Sequence, residues 1–298
     1  MERLPVEAVI EGMTRRTLIF GTATAAAGAA FAQTNNKGPI PVAIVLSPGA
    51  VVIDYTGPWE VFQDAVVPGH TRPFSLYTVA ERVEPIITSG GLKVVPDYSF
   101  ANAPRPKIII IPAQMGGTAV EAWLRSAAAQ ADLTMSVCTG ALQLAKTGLL
   151  DGKSAATHHS SYRQFEKDFP KVNLKRGFRF VDEGKVASAG GLTSGIDLAL
   201  HVVERYYGRD AAANTAYYME YQGKGWMDAT GAANSEYAED HEPSGGGPKD
   251  IVCGMPVSKD TRFTTVRDGK TFLFCQQDCK DQFDKDPGLF LDARRSGK

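Results

Sequence analysis

Leu133-Thr-Met-Ser-Val-Cys138-Thr-Gly-Ala-Leu-Gln-Leu-Ala-Lys-Thr147 is the stretch on which the fold turns. Leu133 to Val137 reads as a short buried strand, and Thr139 to Thr147 as a helix, with Cys138 alone between them. A strand that turns directly into a helix raises its junction residue on a sharp elbow, beside the unsatisfied N–H groups of the helix start. Free cysteine is among the most buried residue types and commonly behaves as a small hydrophobe. The sequence Cys-Thr-Gly tips the balance, because Gly140 permits a tight turn or a close backbone approach that an ordinary core cysteine does not need. The helix start is then expected to favour the thiolate of Cys138, the form that acts as nucleophile.

Outward from this elbow, apolar runs alternate with helix-period segments, the pattern of an α/β fold with a mainly parallel sheet. Val42 to Leu46 reads as the first strand, Pro58 to Ala65 as a helix with Pro58 at its first position, and Phe74 to Val79 as the next strand. Lys107-Ile-Ile-Ile-Ile-Pro112 is the strongest central strand, since burial on both faces accounts for four consecutive isoleucines. Thr118 to Ala131 is predicted helical, and Phe178 to Asp182 and Lys185 to Ala189 flank a hairpin at Glu183-Gly184. Ser194 to Tyr207 is an amphipathic helix closed by Gly208. A further helix, about Asp210 to Gln222, carries Tyr217, Tyr218, Met219 and Tyr221 as an expected packing face.

Ligands of open α/β sheets bind beyond the carboxyl ends of the strands, which is where Cys138 falls. The loop Ser47 to Pro58 reaches the same edge and offers Asp54 as a partner carboxyl, whose alternative role is to cap the helix expected at Pro58.

The 298 residues are 43% apolar and 22% charged with a formal net charge of -1, which leaves no basic footprint for nucleic acid and no polybasic membrane patch. Thr14-Arg15-Arg16-Thr17 precedes a small-residue apolar run, Phe20 to Ala30, and Ala30-Phe31-Ala32 fits an A-x-A cleavage site. Residues 1–32 are therefore expected to be a twin-arginine export signal, too weakly hydrophobic for a permanent span, with Met13 as a second candidate start. Four parts follow: the signal at 1–32, an α/β domain at 38–222, a flexible linker at 223–249 rich in Gly and Ser, and a small domain at 250–293.

The small domain is too short to build much of a core without help from a metal, a disulfide or docking. It carries Asp250-Ile-Val-Cys253-Gly-Met255-Pro-Val257 and Phe272-Leu-Phe-Cys275-Gln-Gln-Asp-Cys279, followed by Phe283 and Pro287. Three cysteines cannot all pair with one another, so a thiolate-rich metal site competes with a Cys275 to Cys279 disulfide. Cys253, Met255, Cys275 and Cys279 suit Cu(I), whereas Zn needs a nitrogen or oxygen ligand in place of Met255.

Five motifs in order, Asp54-Tyr-Thr-Gly-Pro-Trp-Glu-Val-Phe62, Ser89-Gly-Gly-Leu-Lys-Val-Val-Pro-Asp97, Cys138-Thr-Gly-Ala, Gly148-Leu-Leu-Asp-Gly-Lys153 with Ala156-Thr-His-His159, and Ala189-Gly-Gly-Leu-Thr-Ser-Gly-Ile-Asp197, resemble the ThiJ/PfpI superfamily. Within it the chain is most similar to isonitrile hydratases and to the sensor domains of AraC-type regulators. A cysteine-rich tail follows where a regulator would carry a helix-turn-helix, which makes an enzyme the expectation. The tail itself resembles the YHS domain, a metal-associated module, with Phe272-Leu273 departing from its usual aromatic pair.

The resemblance implies a flavodoxin-like three-layer sandwich, a homodimer, and no cofactor in the α/β domain. It implies Cys138 as nucleophile toward a small-molecule electrophile, Asp54 as general acid or base and Thr139 as orienting group, with Gly57, Gly140, His158, Gly190 and Gly191 around the substrate. His158 is expected to satisfy hydrogen bonds rather than transfer protons, His201 to be structural, and His70 and His241 to be exposed. Two non-catalytic readings stand beside the hydratase: an exported metal-handling or redox-sensing protein, and a ligand-binding sensor.

Overall fold

The computed structural model describes residues 38–228, 237–238, 248, 250–252, 257–275, 277–285 and 287–291. The export signal, His241, Cys253 and Met255 lie outside the described residues.

Ile108–Ile111 is buried along its whole length because helices cover both faces of the sheet it sits in. Ile108 and Ile110 face one core with Val42, Ile44 and Met135, while Ile109 and Ile111 face the other with Ala43, Val45 and Val79. The sheet has seven strands, ordered 180–182, 186–189, 133–136, 108–111, 40–45, 74–80, 98–99. All neighbours run parallel except the edge hairpin Phe180–Asp182 with Val186–Ala189, which is antiparallel. Helices Val52–Gln63, Ser194–Tyr207 and Arg209–Tyr218 supply one covering layer, and Thr118–Ala128, Gly140–Lys146 and Tyr162–Asp168 the other. This is the flavodoxin-like sandwich, and it brings the ends of Ile40–Val45, Ile108–Ile111 and Leu133–Ser136 to one edge.

Two sequence expectations need correction. The first helix begins at Val52, not Pro58, and Pro58 is its seventh residue. Its start carries no side-chain cap, so nothing polar marked it, and the Pro58 ring is accommodated inside the helix. The tyrosine cluster is a packing face only in part. The Arg209–Tyr218 helix buries a stripe of small residues, Ala211, Ala212, Thr215 and Ala216, which turns Tyr217 and Tyr218 outward at 87% and 65% exposure. Met219 and Tyr221 do pack against the core. Packing also continues past Gln222, since Trp226 is buried and its backbone N–H donates to Asp197 Oδ1 at 3.1 Å.

The C-terminal part has its own small core of Phe274, Cys279 and Phe283, lined by Ile251, Phe263, Phe272 and Phe290. A hairpin, Thr264–Arg267 with Lys270–Leu273, turns on Asp268 and Gly269, both at positive φ, and the helices Gln277–Lys285 and Pro287–Leu291 follow. Among the described residues, no helix is long and apolar enough to cross a membrane.

Candidate functional site

Cys138 is the second residue after its strand, Leu133–Ser136, and adopts φ +57°, a left-handed conformation that non-glycine residues rarely hold. Its N–H donates to the Gly190 carbonyl at 2.9 Å, and its own carbonyl accepts the Thr157 hydroxyl at 3.0 Å. Gly140 makes the turn possible: a Cβ there would lie 2.2 Å from the Ile111 carbonyl oxygen. The close backbone approach inferred from Cys-Thr-Gly is thus present, with the helix start pressed against the end of the central strand.

The backbones of Thr139 and Leu192 and the Thr139 side chain all favour the anion of this sulfur. Burial outweighs them. Cys138 is 6% exposed, and desolvation, followed by the Asp54 charge, pushes its thiol well above the ordinary range. The expectation that the helix start yields a resting thiolate is therefore corrected. The helix is a single short one, Gly140–Lys146, and its end effect cannot offset removal of the anion from water.

Asp54 is fully buried in the first turn of Val52–Gln63 and does not cap that helix. Its Oδ2 accepts the Ala113 N–H at 3.0 Å, from the loop after the central strand, while Oδ1 has no partner at hydrogen-bond distance among the described residues. Burial raises this carboxyl to about 7, against the opposing pull of the Ala113 N–H and the nearby Cys138. The two residues paired on sequence grounds thus share one environment, and each perturbs the other.

Beside the elbow lies a cavity of about 300 Å³. His158, Gly190 and Gly191 line it, together with Leu192, Arg179 and Tyr237. Gly57 and Gly140 do not, and nor do Cys138, Asp54 and Thr139: the cavity meets the elbow through Gly190 and Thr157, which hydrogen-bond the Cys138 backbone. A Cβ on Gly57 would meet Ile196 at 3.0 Å, so Gly57 serves the packing of one helix on another. His158 is held neutral, with burial and then His159 lowering it to about 4. Its Nδ1 accepts the Ser160 N–H at 3.2 Å, which places the proton on Nε2. Gly191 leaves the imidazole its room, since a Cβ there would come within 2.5 Å of His158 Cδ2. His201 bonds Asp182 at 3.1 Å in a network with Arg205, away from this cavity, and His70 is exposed.

Several contributors escaped the sequence reading. Leu192 lies inside a quoted motif, but its φ of +41° and the direction of its N–H are tertiary facts. Arg179 faces the cavity while donating through Nε at 2.7 Å, and through Nη2, to buried Asp197. Asp250 is the third.

In the C-terminal domain, Asp250, Cys275 and Cys279 bring one potential ligand atom each to within 4.8 Å of one another. The two sulfurs are 3.8 Å apart, so they are not joined as a disulfide. That distance is what a tetrahedral ion with thiolate bonds of about 2.3 Å demands, about 3.8 Å between ligands. Asp250 is held in place by the N–H groups of Val252 and Cys275, each 2.8 Å from a carboxylate oxygen. These residues fit a metal ion, and Asp250 adds the oxygen ligand that the sequence reading lacked for zinc.

Comparison with known proteins agrees with this geometry. The model of the DJ-1/PfpI family matches residues 41–205, and that of the YHS domain residues 249–294. Isonitrile hydratase of Pseudomonas putida is 33% identical over 186 residues, covering 60% of this chain and 78% of that protein. The HTH-type transcriptional regulator GbdR of Pseudomonas aeruginosa is 26% identical over 186 residues, and the match spans 60% of this chain but 50% of the regulator. The crystal structure of a ThiJ/PfpI family protein from Pseudomonas syringae superposes with a TM-score of 0.57 at 25% identity, covering 68% of this chain and 82% of that one.

Proposed function

We propose, from the premise that the chain belongs to the DJ-1/PfpI family and carries a C-terminal YHS domain, that its α/β domain is a cysteine-dependent hydratase or hydrolase of a small electrophile. The isonitrile group is the favoured substrate, supported by the likeness to isonitrile hydratase. The observation that carries the proposal is the pairing of the buried Cys138 thiol with the buried Asp54 carboxyl at the strand edge.

A thiol that holds its proton needs a base at the moment of attack. Ionised Asp54 takes the thiol proton as Cys138 Sγ bonds to the terminal isonitrile carbon, and returns that proton to the same carbon. The product is a thioimidate, Cys138-S–CH=N–R. The Thr139 and Leu192 N–H groups stabilise the sulfur while it carries charge. Water then adds to the thioimidate carbon, the C–S bond breaks, and an N-substituted formamide leaves with the thiol restored. The sum is R–NC plus water giving R–NH–CHO.

Proton NMR of an alkyl isonitrile incubated with wild type, Cys138→Ser and Asp54→Asn tests this. Formamide from wild type alone, with a loss of roughly a thousandfold or more in each variant, is expected. Equal turnover by all three would sink nucleophilic catalysis. A sensor role has one observation in its favour, the likeness to GbdR, and it predicts saturable binding by wild type without product.

In the YHS domain, Cys275, Cys279 and Asp250 would hold a metal ion, with zinc favoured by the carboxylate oxygen. Cys253 and Met255 are further candidate ligands on sequence grounds. We propose also that the chain is exported by the twin-arginine route, cleaved after Ala32, and homodimeric. An intact mass that retains Arg15-Arg16, or a monomer mass in sedimentation, would overturn these two points in turn.

A further inference from the structure

Tyr237 lies in the stretch between the two domains, distant in sequence from the elements that build the cavity, yet it forms part of the cavity wall. Its carbonyl accepts the Tyr162 hydroxyl at 3.1 Å, and the same phenol oxygen accepts the Gly177 N–H at 2.7 Å. Its ring centroid is 5.7 Å from that of His159, which is 4.3 Å from that of His158. His158 in turn abuts Gly191, and the backbone of the next residue, Leu192, favours the Cys138 anion. A chain of ring contacts therefore runs from the linker to the loop that cradles the thiol. Tyr237 keeps 44% of its surface exposed while its ring lies against that of His159.

We propose that Tyr237 is a specificity-determining residue, supplied by the interdomain segment, that narrows the approach to Cys138 and admits small electrophiles while excluding bulky ones. The inference rests on the reading of Cys138 as a nucleophile and on entry of the substrate through this cavity, whose wall holds Gly190 and Thr157, the backbone partners of Cys138, and not Cys138 itself. A phenol is large against a space of about 300 Å³, so its presence sets which substituents enter. Tyr237 then becomes part of the substrate site.

The test uses the full chain and does not depend on turnover. Wild type, Tyr237→Ala and Tyr237→Phe are alkylated with iodoacetamide or with the bulkier N-phenylmaleimide, and the rate at Cys138 alone is followed by peptide mass mapping. Tyr237→Ala should raise the N-phenylmaleimide rate relative to iodoacetamide by about tenfold, the scale of discrimination by pocket size, while Tyr237→Phe stays within about twofold of wild type. An unchanged ratio in Tyr237→Ala overturns the proposal, as does equal acceleration by both reagents. Tyr237→Leu, which also removes the aromatic face, serves if the alanine variant fails to melt cooperatively. Shifted alkylation selectivity without any isonitrile turnover would reject the hydratase reading and leave Tyr237 as gatekeeper. A Cys138 that neither reagent labels in any of the proteins would remove both.

Discussion

Asp54→Asn should abolish catalysis and at the same time stabilise the fold at neutral and alkaline pH. The carboxyl is 0% exposed, and its folded-state value of about 7 lies well above the ordinary 3.8. At 1.36 kcal/mol per pH unit this separation amounts to about 4 kcal/mol. Below about pH 4 the group is protonated in the folded and unfolded chain alike, and it costs nothing. Between about 4 and 7 the unfolded chain releases a proton that the folded chain retains, so stability falls as pH rises. Above 7 both states are ionised and the penalty is constant. Asparagine does not titrate, so the stability difference between variant and wild type should climb through this window and then level off. The new amide places an Nδ2 group near where Oδ1 has no partner, a pH-independent cost of about 1–3 kcal/mol. The net gain at pH 8 is then about 1–3 kcal/mol, or roughly 2–12 °C in Tm for a domain of this size. Urea titrations of both proteins at unit steps from pH 4 to pH 8 measure it. A difference that stays flat with pH would show that Asp54 is not a carboxyl strained by burial, and the proton relay built on it would fall.

With ionised Asp54 as the proposed base, kcat/KM should rise about tenfold per unit below pH 7 and level off above it; an acid limb centred near 4 in stopped assays contradicts this. Gly140→Ala, whose Cβ would lie 2.2 Å from a carbonyl oxygen, should cost more than about 3 kcal/mol in chemical denaturation, whereas Gly184→Ala, at φ +83° in open space, should cost about 1 kcal/mol. Elemental analysis of the full chain purified under reducing conditions should find about one zinc per chain, with affinity lowered about tenfold or more by Asp250→Asn and by Cys279→Ser. Absence of stoichiometric metal in the wild-type protein would end that assignment.

The sheet was legible because burial on both faces forces long apolar runs such as Ile108–Ile111, and the Ser194–Tyr207 helix because Gly208 marks its end. The first helix was misplaced because Val51 and Val52 carry no capping side chain, while Pro58, a common start signal, sits mid-helix. The elbow could be located from Cys-Thr-Gly, yet its charge state could not. Ionisation of Cys138 depends on how much protein lies above the sulfur and on a carboxyl 84 positions earlier, neither of which is a local property. Leu192 and Tyr237 were invisible for the same reason. One acts through a backbone N–H that any residue type carries, and the other through a tertiary contact from a segment with no periodic pattern.

Thiol oxidation proceeds through the anion, so a sulfur that keeps its proton and turns almost no surface outward is a slow target for peroxide and for disulfide exchange. On the proposed mechanism, the elbow keeps its reactivity dormant until a guest small enough to reach the sulfur meets the neighbouring base. Under the proposed export and cysteine chemistry, this shelter supplies locally what a reducing cytosol supplies elsewhere: a thiol that survives the wait between substrates.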